Sequence, residues 1–131
     1  MHRLHGALRG GVVALALFGW LVPAAAFAAG DAAKGKALFE GMGTCWTCHG
    51  KEGKGDGPAS APLNPKPRDL SGGEFKFDAD KDGKAGTDTD LAMVIKNGPA
   101  AYGGSNAMPY FKHLSDEQIA DIVAFIRSLG Q

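Results

Sequence analysis

The hexapeptide CWTCHG, residues 45–50, carries both cysteines of the 131-residue chain, and the reading of everything around it follows from its chemistry. Two cysteines separated by two residues and followed at once by a histidine admit three chemistries. A thioredoxin-like redox pair expects a βαβ neighbourhood with the first thiol at a helix start, and no strand pattern precedes Cys45. A structural zinc site needs four ligands. Outside the leader described below, the only thiol or imidazole donors are Cys45, Cys48, His49 and His113, and their spacing is poor for one tetrahedron. The third chemistry is covalent haem attachment, for which C-x-x-C-H is the sequence signature. Two thiols about one helical turn apart can add to the two vinyl groups of one porphyrin, and the adjoining His49 imidazole is then offered to the iron. The spacing favours this reading.

Haem attachment of this kind takes place outside the cytoplasm, and the start of the chain agrees. Arg3 and Arg9 supply a positive start, Gly11 to Val22 is apolar, and Ala26-Phe27-Ala28 has the small-x-small form of a cleavage site. Residues 1–28 therefore read as an export leader, with cleavage expected after Ala28 and a periplasmic destination. A retained membrane anchor is the competing reading, but Pro23 and the alanine-rich end shorten the roughly 20 apolar residues that a span requires. The remaining residues, 29–131, have the length of a single small domain whose core would gain from a cofactor or cross-link. Fourteen Lys and Arg less Arg3 and Arg9 leaves twelve against fourteen acids. A mildly acidic chain with no basic stripe excludes a nucleic-acid binder.

Outward from the hexapeptide, the pattern predicts a helix from about Ala32 to Met42, capped by Asp31, with Leu38 and Phe39 buried. Gly35 shares a face with Phe39 and would let another helix approach closely. The clearest helix is LSDEQIADIVAFIRSLG, 114–130: Ser115 and Gln118 form a capping box, Leu114 and Ile119 a staple, and Gly130 a C-terminal cap. Its apolar stripe runs through Ile119, Ile122, Val123, Ile126 and Leu129, with Phe125 beside it as a partner for the Gly35/Phe39 face. A shorter helix is expected in TDTDLAMVIKNGP, capped by Thr87 or Thr89 and stopped by Gly98-Pro99. From Gly50 to Gly86 no helix or strand is predicted. A loop of that length in a compact domain implies that it wraps something, and Leu63, Leu70, Phe75 and Phe77 are the residues suited to cover a haem.

Taken in order, the Gly-x-x-x-Phe helix, CWTCHG, the GKGDGP loop, PRDL, TDTDLAMVIKNG, the Met-Pro dipeptide and LSDEQIADIVAFIRSL resemble the class I c-type cytochromes, in particular the small bacterial monohaem proteins. The resemblance spans nearly all of residues 31–130. It implies an all-α fold of three to four helices with long loops around one haem c, the first and last helices crossing beside it. It also implies thioethers at Cys45 and Cys48, His49 as proximal iron ligand and Met108 as distal ligand. Pro58 matches the proline whose carbonyl accepts from the proximal imidazole, with Pro62, Pro65 and Pro67 as neighbouring alternatives. Arg68 is suited to a haem propionate through its planar fork, the plain alternative being a solvated surface arginine. The chain departs from the family pattern in DADKDGKAGTDTD, 78–90, which begins like a calcium loop but has Thr89 at position twelve where the bidentate glutamate belongs.

Four side chains compete for the sixth iron position. Met42 lies three residues before Cys45, on the attachment side, and reads as helix-end packing. Met93 falls within a helical pattern, where a flexible thioether more often fills a gap. His113 adjoins the staple residue and reads as surface. Met108 precedes Pro109, which disfavours helical geometry at Met108, and follows a Gly-rich approach; its soft sulfur favours ferrous iron and raises the potential. The expected function is an exported, soluble, monomeric electron carrier, not an enzyme, with no membrane span in the mature chain and with Gly103, Gly104 and Tyr110 near the exposed haem edge. The family implies transient redox partners such as a quinol-oxidising complex or a terminal oxidase of a respiratory chain. The alternatives are a haem subunit of a larger periplasmic oxidoreductase, and a haem enzyme or gas-binding protein with an open distal site.

Overall fold

A computed structural model describes residues 29–131; the expected leader, 1–28, lies outside the described residues. The elements are α1 (Ala32–Glu40), α2 (Trp46–His49), α3 (Asp88–Asn97), a 3-10 turn at Pro99–Tyr102 and α4 (Asp116–Leu129). Among the described residues there is no strand, so the fold is all-α as expected. No helix of the described residues is long and apolar enough to cross a membrane.

Helix α1 begins where a carboxylate can satisfy its free amides: Asp31 accepts from the N–H groups of Ala33 at 2.8 Å and Lys34 at 3.1 Å. Those bonds, that from Lys34 foremost, hold the Asp31 carboxyl below the usual range. The helix stops two residues short of the expected Met42. Gly41 leaves helical geometry at φ −98, ψ −107, and the Gly41 and Gly43 amides turn back to the carbonyls of Ala37 and Leu38. Two poor helix formers bracketing Met42 account for the early end.

In α4 the capping box is present, Gln118 N–H donating to Ser115 Oγ at 3.2 Å and Ser115 N–H to Gln118 Oε1 at 2.9 Å. Gly130 caps the helix as expected, at φ −94, its N–H donating to the Arg127 carbonyl. The stripe buries Ile119, Ile122, Val123 and Ile126, with Phe125 beside them and Leu129 half-buried at the end. Helices α1 and α4 make the most extensive contact in the molecule, and Gly35 is the reason they can. A Cβ there would fall on the Asp121 carbonyl oxygen and within 2.9 Å of Phe125 Cβ. The rings of Phe39 and Phe125 meet edge to face at 5.2 Å, a favourable aromatic geometry. The buried Asp121 carboxylate accepts from Asp31 N–H at 2.7 Å, fastening the start of α1 to α4.

Thr87, not Thr89, caps α3, in a box whose second member is Asp90. Leu91, Ala92 and Ile95 are buried on its inner face, and Val94 is half-buried. The segment between α2 and α3 has no regular element, yet its backbone is well tied. Gly55 N–H donates to the His49 carbonyl at 2.8 Å, Ala59 N–H to Thr47 at 2.8 Å and Leu70 N–H to Gly53 at 2.6 Å, so the chain doubles back over α2. Its far end is held by Arg127 of α4, which donates to Asp88 Oδ1 at 2.8 Å and to the Gly86 carbonyl and lies over the Phe75 ring.

Candidate cofactor site

The helices and the long segment enclose a cavity of about 390 Å³, a size typical of small-molecule and cofactor sites. Cys45, Cys48 and His49 reach it from α2, Leu91, Val94 and Ile95 from α3, and Met108 and Phe111 from the stretch before α4. All four residues expected to cover a haem, Leu63, Leu70, Phe75 and Phe77, line it. The cavity therefore gathers two thiols, an imidazole and a thioether inside an apolar wall.

The donors are in the states that attachment and iron ligation need. Both cysteines are free. Burial pushes the Cys45 thiol up to about 11, the reverse of the depressed pKa of a redox-active CxxC thiol, and α2 is a single turn with no strand before it. His49 Nδ1 lies 3.0 Å from the Arg68 carbonyl. A carbonyl can only accept, so Nδ1 carries the proton and Nε2 keeps its lone pair for a metal. Burial lowers the His49 pKa, partly opposed by that hydrogen bond, which favours the neutral ligating form. An apolar cavity with thiols at CxxC spacing, an oriented imidazole and a soft sulfur fits an iron porphyrin.

The imidazole partner is a correction. Pro58 was expected to supply the carbonyl, but it is exposed and off the cavity wall, while the 67–68 backbone passes close enough for Arg68 to take that place. That approach depends on Gly55, at φ +77, where a Cβ would fall on the Pro67 carbonyl oxygen. Arg68 itself lines the cavity, and its guanidinium donates to the Glu74 carbonyl at 3.0 Å. Met42 is 61% exposed, so it contributes little packing at the helix end, contrary to expectation. Met93 is half-buried and off the cavity wall, and His113 is exposed, its ring 6.0 Å from Phe111. Of the residues expected near the opening, Gly104 lines the cavity, while Gly103 and Tyr110 are exposed.

Three functional features escaped the sequence reading. Lys66 and Lys76 join Arg68 on the wall; nothing in a scattered lysine announces this. The Arg68 carbonyl is a backbone group and leaves no mark in residue type. Asp90 is 1% exposed and accepts from Ala79 N–H, Thr87 N–H at 2.8 Å and Thr87 Oγ1 at 2.7 Å. T-x-x-D ahead of an apolar run was a legible signal for it. Asp78, Asp80 and Asp82 do converge, but their oxygens accept from the amides of Asp82, Gly83 and Lys84, closing the loop on itself.

A site built from CxxCH and an apolar cavity in an all-α fold defines a c-type haem protein. The model of the family described as cytochrome c matches residues 32–130, and the chain belongs to that family. Its cofactor is accordingly covalently bound haem c. No curated protein matches. Among solved structures, a chain of the Kuenenia stuttgartiensis reducing HAO-like protein complex Kustc0457/Kustc0458 is 31% identical, with a TM-score of 0.61 over 76% of this chain. The present chain spans only 44% of that one.

Proposed function

We propose that this protein carries single electrons between redox partners, with Cys45 and Cys48 joined to the porphyrin by thioethers, His49 as proximal ligand and Met108 as distal ligand. Haem c supplies a one-electron couple. The chain's part is to hold two ligands so that neither moves when the charge changes, and to keep water from the metal. The observation that carries the reading is the meeting of His49 and Met108, 59 residues apart in the chain, on the wall of the cavity that also holds the cysteines. With His49 and Met108 both holding the iron, no position would be left for a substrate, which is a carrier's condition and not an enzyme's. Arg68, Lys66 and Lys76 offer positive charge to the haem propionates. The leader reading makes the periplasm the place of work, and a purified protein whose N-terminus is Ala29 would agree with it.

Absorption and magnetic circular dichroism spectra in both oxidation states test the proposal. A carrier gives six-coordinate, low-spin iron with a methionine–iron charge-transfer band, and Met108→Ala abolishes that band. High-spin iron that binds carbon monoxide tightly in the parent protein refutes it. A second reading, a haem subunit of a larger oxidoreductase, draws support from the 31% identity to a chain of the HAO-like complex. Purification from the native source at low salt distinguishes the two, since a subunit brings a stoichiometric partner.

A further inference from the structure

Helix α3 ends on a backbone that only glycine adopts freely. Gly98 has φ +78 and ψ 148, a region all but closed to residues with a Cβ, while its amide still donates to the Val94 carbonyl at 2.9 Å. The space beside its Cα is walled by the Met108 segment: a Cβ on Gly98 would sit 3.6 Å from the Met108 carbonyl oxygen, 3.7 Å from the Pro109 carbonyl carbon and 3.6 Å from the Tyr110 nitrogen. One residue further, Phe111 N–H donates to the carbonyls of both Ile95 and Lys96, at 3.1 and 3.2 Å. Asn106, Ala107, Pro109 and Tyr110 are exposed, so the stretch around Met108 takes its position from the end of α3.

We propose that Gly98 is a positioning residue for the distal sulfur, acting through the Met108–Tyr110 backbone that rests on it. The inference rests on Met108 being the distal ligand. A side chain at Gly98 finds room at ordinary contact distance but not an unstrained backbone. The relaxation that relieves the strain turns the Gly98-Pro99 peptide, and the segment lying against it moves with it. The sulfur–iron bond then weakens although no ligand has been replaced.

Gly103 provides a control for positive φ alone, because it has φ +79 and ψ 13, in the left-handed region, with nothing within 4 Å of its Cβ position. Four holoproteins are titrated with imidazole as a competing ligand while the methionine–iron charge-transfer band and the thermal unfolding curve are followed: the parent, Gly98→Ala, Gly103→Ala and Met108→Ala. Gly98→Ala should lose the band at about tenfold lower imidazole than the parent, the factor that a strain of ordinary size produces. Gly103→Ala should titrate like the parent even though its unfolding temperature falls. Equal titrations for Gly98→Ala and the parent, with the band absent from Met108→Ala, overturn this proposal and leave the ligand assignment standing. A band retained in Met108→Ala overturns both. Should Gly98→Ala yield no holoprotein, Pro99→Ala is titrated in its place, since it loosens the same Gly98-Pro99 peptide without placing a Cβ at φ +78, and the same two outcomes apply.

Discussion

At Gly35 a single missing methyl decides how closely two helices cross. The Asp121 carbonyl occupies the space a side chain would need, and neither helix backbone can yield without breaking its own ladder. Gly35→Ala is therefore expected to destabilise the protein by on the order of 3 kcal/mol, measurable by denaturant unfolding of the holoprotein, with the haem spectrum unchanged where the protein stays folded. Legible at this scale are the residues whose chemistry requires a fixed linear spacing. Cys45, Cys48 and His49 stand at the spacing of one attachment motif and Met108 is marked by the proline after it, and the structure brings all four to one cavity wall. Arg68 was assigned by its side chain, whereas its carbonyl turns out to face the imidazole. A role carried by a backbone atom is invisible to a reading of residue types.

The start of α3 is an acid-sensitive joint. Burial pushes the Asp90 carboxyl up, but the hydrogen bonds from Thr87, Ala79 and Asp80 outweigh it and hold the pKa below the ordinary 3.8. A depressed folded value means stability that is whole above about pH 4 and lost as pH falls through the folded pKa. The parent should accordingly show a steeper acid limb in a stability–pH profile than Asp90→Asn, which has no charge to lose. Arg127 braces the same joint from α4, through Asp88 and the Gly86 carbonyl. Arg127→Gln should cost about 1 kcal/mol, given a partly exposed ion pair and one carbonyl bond, and should speed hydrogen exchange at the Gly86 amide, which donates to Phe77. Both end helices were legible from their caps and periodicity, and α4 was placed to the residue at its start. The turn at Pro99–Tyr102 was not, because four residues are too few to carry a period.

Taken whole, the domain is assembled around a cavity that its own side chains do not fill. Its apolar wall, without contents, meets water, a loss of buried apolar surface that weighs heavily in a small domain whose whole stability is about 5–15 kcal/mol. A Cys45→Ala/Cys48→Ala chain, which cannot retain haem covalently, should lose helical circular dichroism and unfold over a broad, weakly cooperative range, while the holoprotein unfolds sharply. The same physics explains why residues 50–86 resisted the sequence reading. Their order comes from glycine turns, from bonds back to α2 and from the cofactor beneath them, none of which has a period along the chain.

Arg68 touches both the interior and the surface. Its carbonyl meets the imidazole and its guanidinium holds the Glu74 carbonyl. With His49 on the iron, the electron-donating strength of the metal's ligand is thus mechanically joined to an exposed stretch of loop. Under the proposed ligation, substitutions around Glu74 would give the protein a dial for its driving force, adjustable over generations without disturbing a ligand, a thioether or the core.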